Sequence, residues 1–371
     1  MGTVVQILLG IVGVGLVAFV AAFGTGWVLR RRGQLPFDAA ALAADGGQYV
    51  VNADGRKIEY FVYGSTAPRA PVVVNIHGSG PEAGSERDLW APVCDELGVR
   101  GIAVSLPGYG YTDMNPGRVV KNWPQEDLEP VLDQERVGQF MITGHSQGNP
   151  HAMAAALWFP QRCIGLGLNA PLLPSDVTKE VGVKGALGMG SLLRTEQLQR
   201  PYMAWYFAVY HWGAVTFAPW LPLMAVPATR KDARLREVFR RTLVRAVARG
   251  SHGGAWESTE DVCYEWELDP REIQTKNVCV WHAADDKSCP PEIGKWLADM
   301  FRANDGVRVD YRADDLGFGH LTYCRGQFLQ PEHSMIKSLL DGVGHPAADA
   351  ASSAVSSAND DGQQTPREPG T

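Results

Sequence analysis

Hydrophobic positions follow two different patterns along the chain. The first is one unbroken run, residues 4–29, with 26 positions free of Asp, Glu, Lys and Arg. As a helix it would be about 39 Å long, more than the roughly 30 Å hydrocarbon core of a bilayer. It therefore reads as a membrane-spanning anchor, the N-terminal transmembrane helix of the chain. A cleaved signal peptide is the competing reading, but no basic stretch precedes the run, which also exceeds the usual h-region of roughly 7–15 residues. Arg30, Arg31 and Arg32 follow directly, so the positive-inside rule places the remaining chain on the cytoplasmic side as a single-pass membrane protein.

From residue 46 onward the pattern breaks into short apolar runs separated by turns. Residues 49–63 read as a hairpin around Asp54-Gly55. Uninterrupted apolar strands are expected at 72–76, 102–106, 140–143, 164–168, 278–281 and 307–311. Such runs suit strands buried on both faces of a parallel sheet. Helical stretches at 88–97, 150–158 and 293–301 lie between them. The alternation predicts a doubly wound, mostly parallel α/β sheet, with ligands beyond the carboxyl ends of its strands.

Residues 171–271 interrupt the alternation and carry a dense aromatic cluster that includes Tyr202, Trp205, Phe217 and Trp220. This predicts a helical cap over the mouth of the sheet, with most of the rings forming the cap's own core. The expected organisation is then an anchor and basic flank over 1–32, a first core part over 46–170, the cap, a second core part over 272–343 and a disordered tail over 344–371. In the tail only Val355 is a large aliphatic residue, too little to offset chain entropy.

Composition narrows the picture further. The formal net charge of −7, from 34 Lys+Arg against 41 Asp+Glu, provides no overall basic field for phosphates and excludes nucleic acid as an expected partner. The 6 cysteines form no CxxC pair and read as reduced core thiols.

The chemistry lies just after the strands. Gly144-His145-Ser146-Gln147-Gly148 follows a predicted strand and opens a predicted helix, the setting of a nucleophile elbow. A serine hydroxyl needs a base to accept its proton, and His320, on the turn after the last predicted strand, is the candidate. A carboxylate must orient that imidazole. After the strand at 278–281 either Asp285 or Asp286 can serve. Oxyanion donors are expected from the backbone N–H of Gln147, and from that of Ser79 in the loop His77-Gly78-Ser79-Gly80.

These residues, in the chain order Ser…Asp…His, resemble the α/β-hydrolase superfamily over roughly residues 49–343. Pro107-Gly108-Tyr109-Gly110-Tyr111-Thr112-Asp113 is similar to that family's turn after its next strand, with Thr112 in place of the usual serine. Family spacing, counted from the position of Ala283 and from Pro290, implies Asp286 as the acid and leaves Asp285 as the alternative. Asn149 replaces the second glycine usual after the serine motif and is read as tolerated variation.

The resemblance implies a serine hydrolase that needs no metal or organic cofactor, but not its substrate, since esterases, lipases, thioesterases, peptidases and amidases share these motifs. A minority of the cap's rings facing the cleft would give it apolar walls, and with the anchor they favour a small-molecule ester or lipid-like substrate, in particular an apolar carboxylic ester or thioester. A peptidase or amidase would need a cap carboxylate for a substrate amine, for which Glu257, Glu260 and Asp261 are candidates. A non-catalytic small-molecule receptor on the same fold is the third reading. Residues 230–249 read as a helix with one arginine-rich side, either a solvated face or a surface resting on anionic lipid.

Overall fold

The computed structural model describes residues 34–182, 232–250 and 266–344, with isolated helical positions between 6 and 20. Eight strands form one sheet in the order β1-β2-β4-β3-β5-β6-β7-β8. They are β1 (Gln48–Val51), β2 (Lys57–Gly64), β3 (Val72–Ile76), β4 (Arg100–Val104), β5 (Phe140–His145), β6 (Cys163–Asn169), β7 (Asn277–Trp281) and β8 (Arg308–Arg312). β1 pairs antiparallel with β2, and β2 with β4, while every pairing from β4 through β8 is parallel. The expected hairpin is present, its turn closed by the Asn52 side chain, which accepts from the N–H groups of Asp54 and Arg56.

Side chains along the central strands alternate between two cores. Val74, Ile76, Val278 and Val280 face one, and Val73, Cys279 and Trp281 the other. Both sides are apolar and covered, so the period of 2 disappears from the sequence and each strand reads as an unbroken run.

The helices are α1 (Ala39–Ala44), α2 (Ala83–Leu97), α3 (Glu129–Gln134), α4 (Gly148–Trp158), α5 (Ser175–Val181), α6 (Ala233–Ala246), α7 (Pro291–Arg302) and α8 (Met335–Val343). Residues of α2 and α8 line one core, and residues of α4 and α7 the other.

Several boundaries shift from the sequence reading, most by one or two residues, and two of the shifts have a clear local reason. α2 begins five residues earlier than expected because Glu82 caps it: its carboxylate accepts from the Gly84 N–H, and Ser85 Oγ accepts from the Glu82 N–H. β4 ends at Val104 instead of continuing to 106. Leu106 leaves the ladder and donates its N–H to His77 Nε2 at 2.9 Å.

The proposed anchor lies largely outside the described residues. Its described positions, which include Val12, Val14, Leu16 and Val17, are helical and exposed. Among the described residues no helix is long and apolar enough to cross a membrane. The aromatic cluster of the cap, Glu257, Glu260, Asp261 and the tail from 345 onward also lie outside them.

The arginine-rich helix, α6, is described, and its basic side is bound to the body of the protein. Arg245 reaches Asp45, Glu82 and Asp88, at 2.8, 3.1 and 2.9 Å. Arg234 donates to the Leu89 carbonyl, and Arg249 to that of Leu35. Leu235 and Val238 are buried in the core that α2 lines. On this face Arg245 meets buried and half-buried acids and Arg234 is held by a backbone carbonyl, whereas Arg241 is 46% exposed and only approaches Asp45 and Asp88, so part of the face stays open to solvent.

Candidate active site

The turn from β5 into α4 brings three backbone segments too close together for side chains. A Cβ on Gly144 would sit 2.6 Å from the Gly148 carbonyl oxygen, and one on Gly148 would sit 2.4 Å from that of Ile76. Both positions of Gly-x-Ser-x-Gly therefore require glycine. Between them Ser146 is left-handed, with φ of 51°, a conformation that disfavours residues with a Cβ. The Asn169 carbonyl at the end of β6 holds this turn by accepting from the Ser146 N–H at 3.0 Å and from Asn149 Nδ2 at 2.9 Å. Asn149 Nδ2 also lies 2.8 Å from the Ser146 carbonyl. Asn149, read from sequence as tolerated variation, is thus a brace for the serine turn.

His77 orients the loop after β3. Its Nε2 accepts from the Leu106 N–H, so the ring proton sits on Nδ1, which donates to the Gly78 carbonyl at 2.8 Å. In a trans peptide the N–H points away from the C=O. Drawing the Gly78 carbonyl toward the ring therefore turns the Ser79 N–H the opposite way. The Ser79 hydroxyl donates to the buried Gln147 side-chain oxygen at 2.7 Å, and Tyr109 OH donates to the same atom at 3.0 Å. The loops after β3, β4 and β5 are tied together at this one amide.

On the far side of the site His320 Nδ1 donates to Asp286 Oδ2 at 2.8 Å. Asp286 Oδ1 accepts from the N–H groups of Ser288 and Cys289 at 2.7 and 3.0 Å. His282 Nε2 lies 3.3 Å from Oδ2. Burial alone would raise this carboxyl's pKa, but the hydrogen bonds from His282, His320 and the Cys289 N–H outweigh it and hold Asp286 far below the usual carboxylate range. Asp285 serves differently: its Oδ2 accepts from the Gly319 N–H at 3.0 Å and so fixes the turn that carries His320.

His145, beside the serine, donates Nε2–H to the His320 carbonyl at 3.1 Å, and the two rings lie 4.9 Å apart. Burial, reinforced by the neighbouring charge of His320, lowers the His145 pKa to about 3, so it is neutral. For His320, burial opposes the cation, but Cys289 and Asp286 push its pKa up.

The structure thus joins His320 to Asp286 directly, and joins the Ser146 turn to His320 through His145. Among the described residues no hydrogen bond links the Ser146 hydroxyl to His320. Two participants had no separate signal in the sequence: His145, within the serine motif, and Cys289, an isolated thiol.

The chain belongs to the alpha/beta hydrolase family, whose model matches residues 72–347, and is therefore a hydrolase by class. Over 107 residues it is 32% identical to 2-hydroxy-6-oxononadienedioate/2-hydroxy-6-oxononatrienedioate hydrolase of Burkholderia vietnamiensis strain G4, a stretch covering 27% of this chain and 36% of that relative. The match thus spans about a third of that protein's length. Among solved structures it is similar to the esterase RhEst1 from Rhodococcus sp. ECU1013, with a TM-score of 0.54 and 20% identity over 81% of this chain and 97% of that one. It is also similar to a membrane phospholipase A described as a bacterial virulence factor, with a TM-score of 0.51 and 17% identity over 92% of this chain and 99% of that one. At these identities the likeness to the solved structures is one of fold.

Proposed function

We propose that this chain is a serine hydrolase that cleaves a carboxylic ester or thioester with an apolar acyl group through an acyl-enzyme. The observation that carries the reading is the 2.8 Å bond from His320 Nδ1 to a buried, ionised Asp286, next to a serine held at positive φ. Ser146 Oγ attacks the substrate carbonyl as His320 Nε2 accepts its proton. The developing oxyanion is received by the N–H groups of Ser79 and Gln147, each such donor contributing about 3–4 kcal/mol to transition-state stabilisation. His320 then returns the proton to the leaving alcohol or thiol, and water repeats the sequence on the acyl-serine. The Ser146–His320 hydrogen bond closes with substrate, as is common where the free enzyme holds the pair loosely. The aromatic-rich stretch around Trp205 and Trp220 supports an apolar acyl group.

A fluorophosphonate is expected to label the full-length protein once, with the adduct on Ser146 by peptide mass spectrometry. Hydrolysis of p-nitrophenyl esters is expected to exceed that of the matching anilides. An adduct on another residue, or anilides turned over faster than esters, overturns the reading. The Burkholderia relative's name supports a second possibility, a 2-hydroxy-6-oxo-dienedioate substrate, which the same comparison detects when that class is included.

The proposal includes a tether: residues 4–29 hold the chain in a membrane with the catalytic part on the cytoplasmic side. It is supported by the charge-free run and the three arginines that follow it. Alkaline carbonate washing is expected to leave the full-length chain in the membrane pellet, and its release into the supernatant would overturn the tether.

A further inference from the structure

The proposed reaction leaves the thiol of Cys289 unused. Cys289 serves the site through its backbone: its N–H binds Asp286 Oδ1, and its carbonyl lies 3.2 Å from His282 Nε2. Yet its Sγ, a carboxylate oxygen of Asp286 and a ring nitrogen of His320 all lie within 4.8 Å of one another. Sulfur, imidazole nitrogen and carboxylate oxygen form the donor set that zinc-class cations prefer. In a tetrahedral site with metal–ligand bonds of about 2.0–2.3 Å, ligand atoms sit about 3.5 Å apart, a spacing that falls within the 4.8 Å the three atoms span. The His320 side chain is 21% exposed and opens the cluster to solvent.

We propose that Asp286, Cys289 and His320 form an inhibitory site for a thiophilic divalent cation such as Zn²⁺. The inhibitory part rests on the serine hydrolase reading, whereas binding does not. On coordination the Cys289 thiol releases its proton to solvent. A metal on His320 Nε2 takes the lone pair that would accept the serine proton. A metal on Nδ1 leaves the remaining ring proton on Nε2, where it cannot accept one. Either way the base is lost.

The test uses the full-length, chelator-treated protein and two readouts. In calorimetric titration Zn²⁺ is expected to bind once, and Cys289→Ser or Cys289→Ala to weaken it by about tenfold or more. The Co²⁺ complex is expected to show thiolate-to-metal charge-transfer absorption that both variants lack. Ester turnover by the unmodified protein falls with Zn²⁺ and returns with EDTA. Both variants are expected to resist Zn²⁺ inhibition, each judged against its own metal-free rate. Equal Zn²⁺ affinity in the unmodified protein and in folded variants, or a Co²⁺ complex without the thiolate band, overturns the site. Ser146→Ala separates the two ideas. It is expected to lose turnover and still bind Zn²⁺, whereas turnover that survives in this variant refutes the serine reading and leaves the metal titration standing.

Discussion

Replacing Ser146 by glycine is expected to abolish ester hydrolysis and, at the same time, to stabilise the fold. Loss of a serine nucleophile that acts with a histidine as one unit costs about 10⁶-fold in kcat, and the residual rate comes from oxyanion donors and substrate binding. The stability gain has a separate cause. At φ of 51° the Ser146 Cβ crowds its own backbone, a strain of about 1–2 kcal/mol for an L-residue. Glycine removes it and returns part of the gain through its greater freedom in the unfolded chain, leaving a net gain of up to about 1 kcal/mol. Ser146→Ala keeps the Cβ and should lose the same activity without the gain. Turnover of p-nitrophenyl acetate together with urea denaturation of the three proteins checks both halves. Activity retained in either variant would place the nucleophile elsewhere. A glycine variant no more stable than the alanine variant would mean that the turn is not strained.

Much of the sheet was legible because its central strands are covered on both sides. A run such as Val278 to Trp281 has no polar face to obscure it, and the strand ends then locate the loops where chemistry is placed. The two aspartates after β7 illustrate the limit of such reading. They are adjacent in sequence, where family spacing favours Asp286 but leaves Asp285 open; the fold shows Asp286 meeting the His320 ring and gives Asp285 a role the sequence did not signal, holding the His320 turn. Boundaries failed where side chains replaced the backbone ladder: the carboxylate cap of Glu82 began α2 inside a glycine- and serine-containing stretch, and His77 drew Leu106 out of β4. The arginine side of α6 was unreadable for a different reason. The acids that meet Arg245 lie 157 to 200 positions away along the chain, and nothing local to α6 announces them.

Those distant acids underlie the second large effect: Arg245→Met is expected to destabilise the protein by about 3–5 kcal/mol, since removing one partner leaves its buried counter-charge uncompensated. The Glu82 side chain is fully buried, accepts from Arg245 and from Thr242 Oγ1, and lies close enough to the equally enclosed Glu59 for their charges to interact. Burial and the charge of Glu82 push the Glu59 pKa up to about 8, against the hydrogen bond from the Tyr111 N–H and the charge of Arg245. The folded protein therefore holds a proton on Glu59 that the unfolded chain, with an ordinary carboxyl near 4.5, has already released. Between about pH 5 and pH 8 the unfolded state binds fewer protons, so stability falls as pH rises, by up to about 1.4 kcal/mol per pH unit from this group. Glu59→Gln should flatten that part of the stability curve. Arg245→Met combined with Glu82→Gln should recover most of the loss seen with Arg245→Met alone, because no buried charge is then left without a partner. Denaturant titrations across this pH range measure all three effects, and a double variant as unstable as the single one would show that the guanidinium acts through packing alone. Because Glu82 stands three residues after Ser79, loosening this seam should also reach the loop proposed to hold the oxyanion. Arg245→Met is therefore expected to lower kcat even at temperatures where it remains folded.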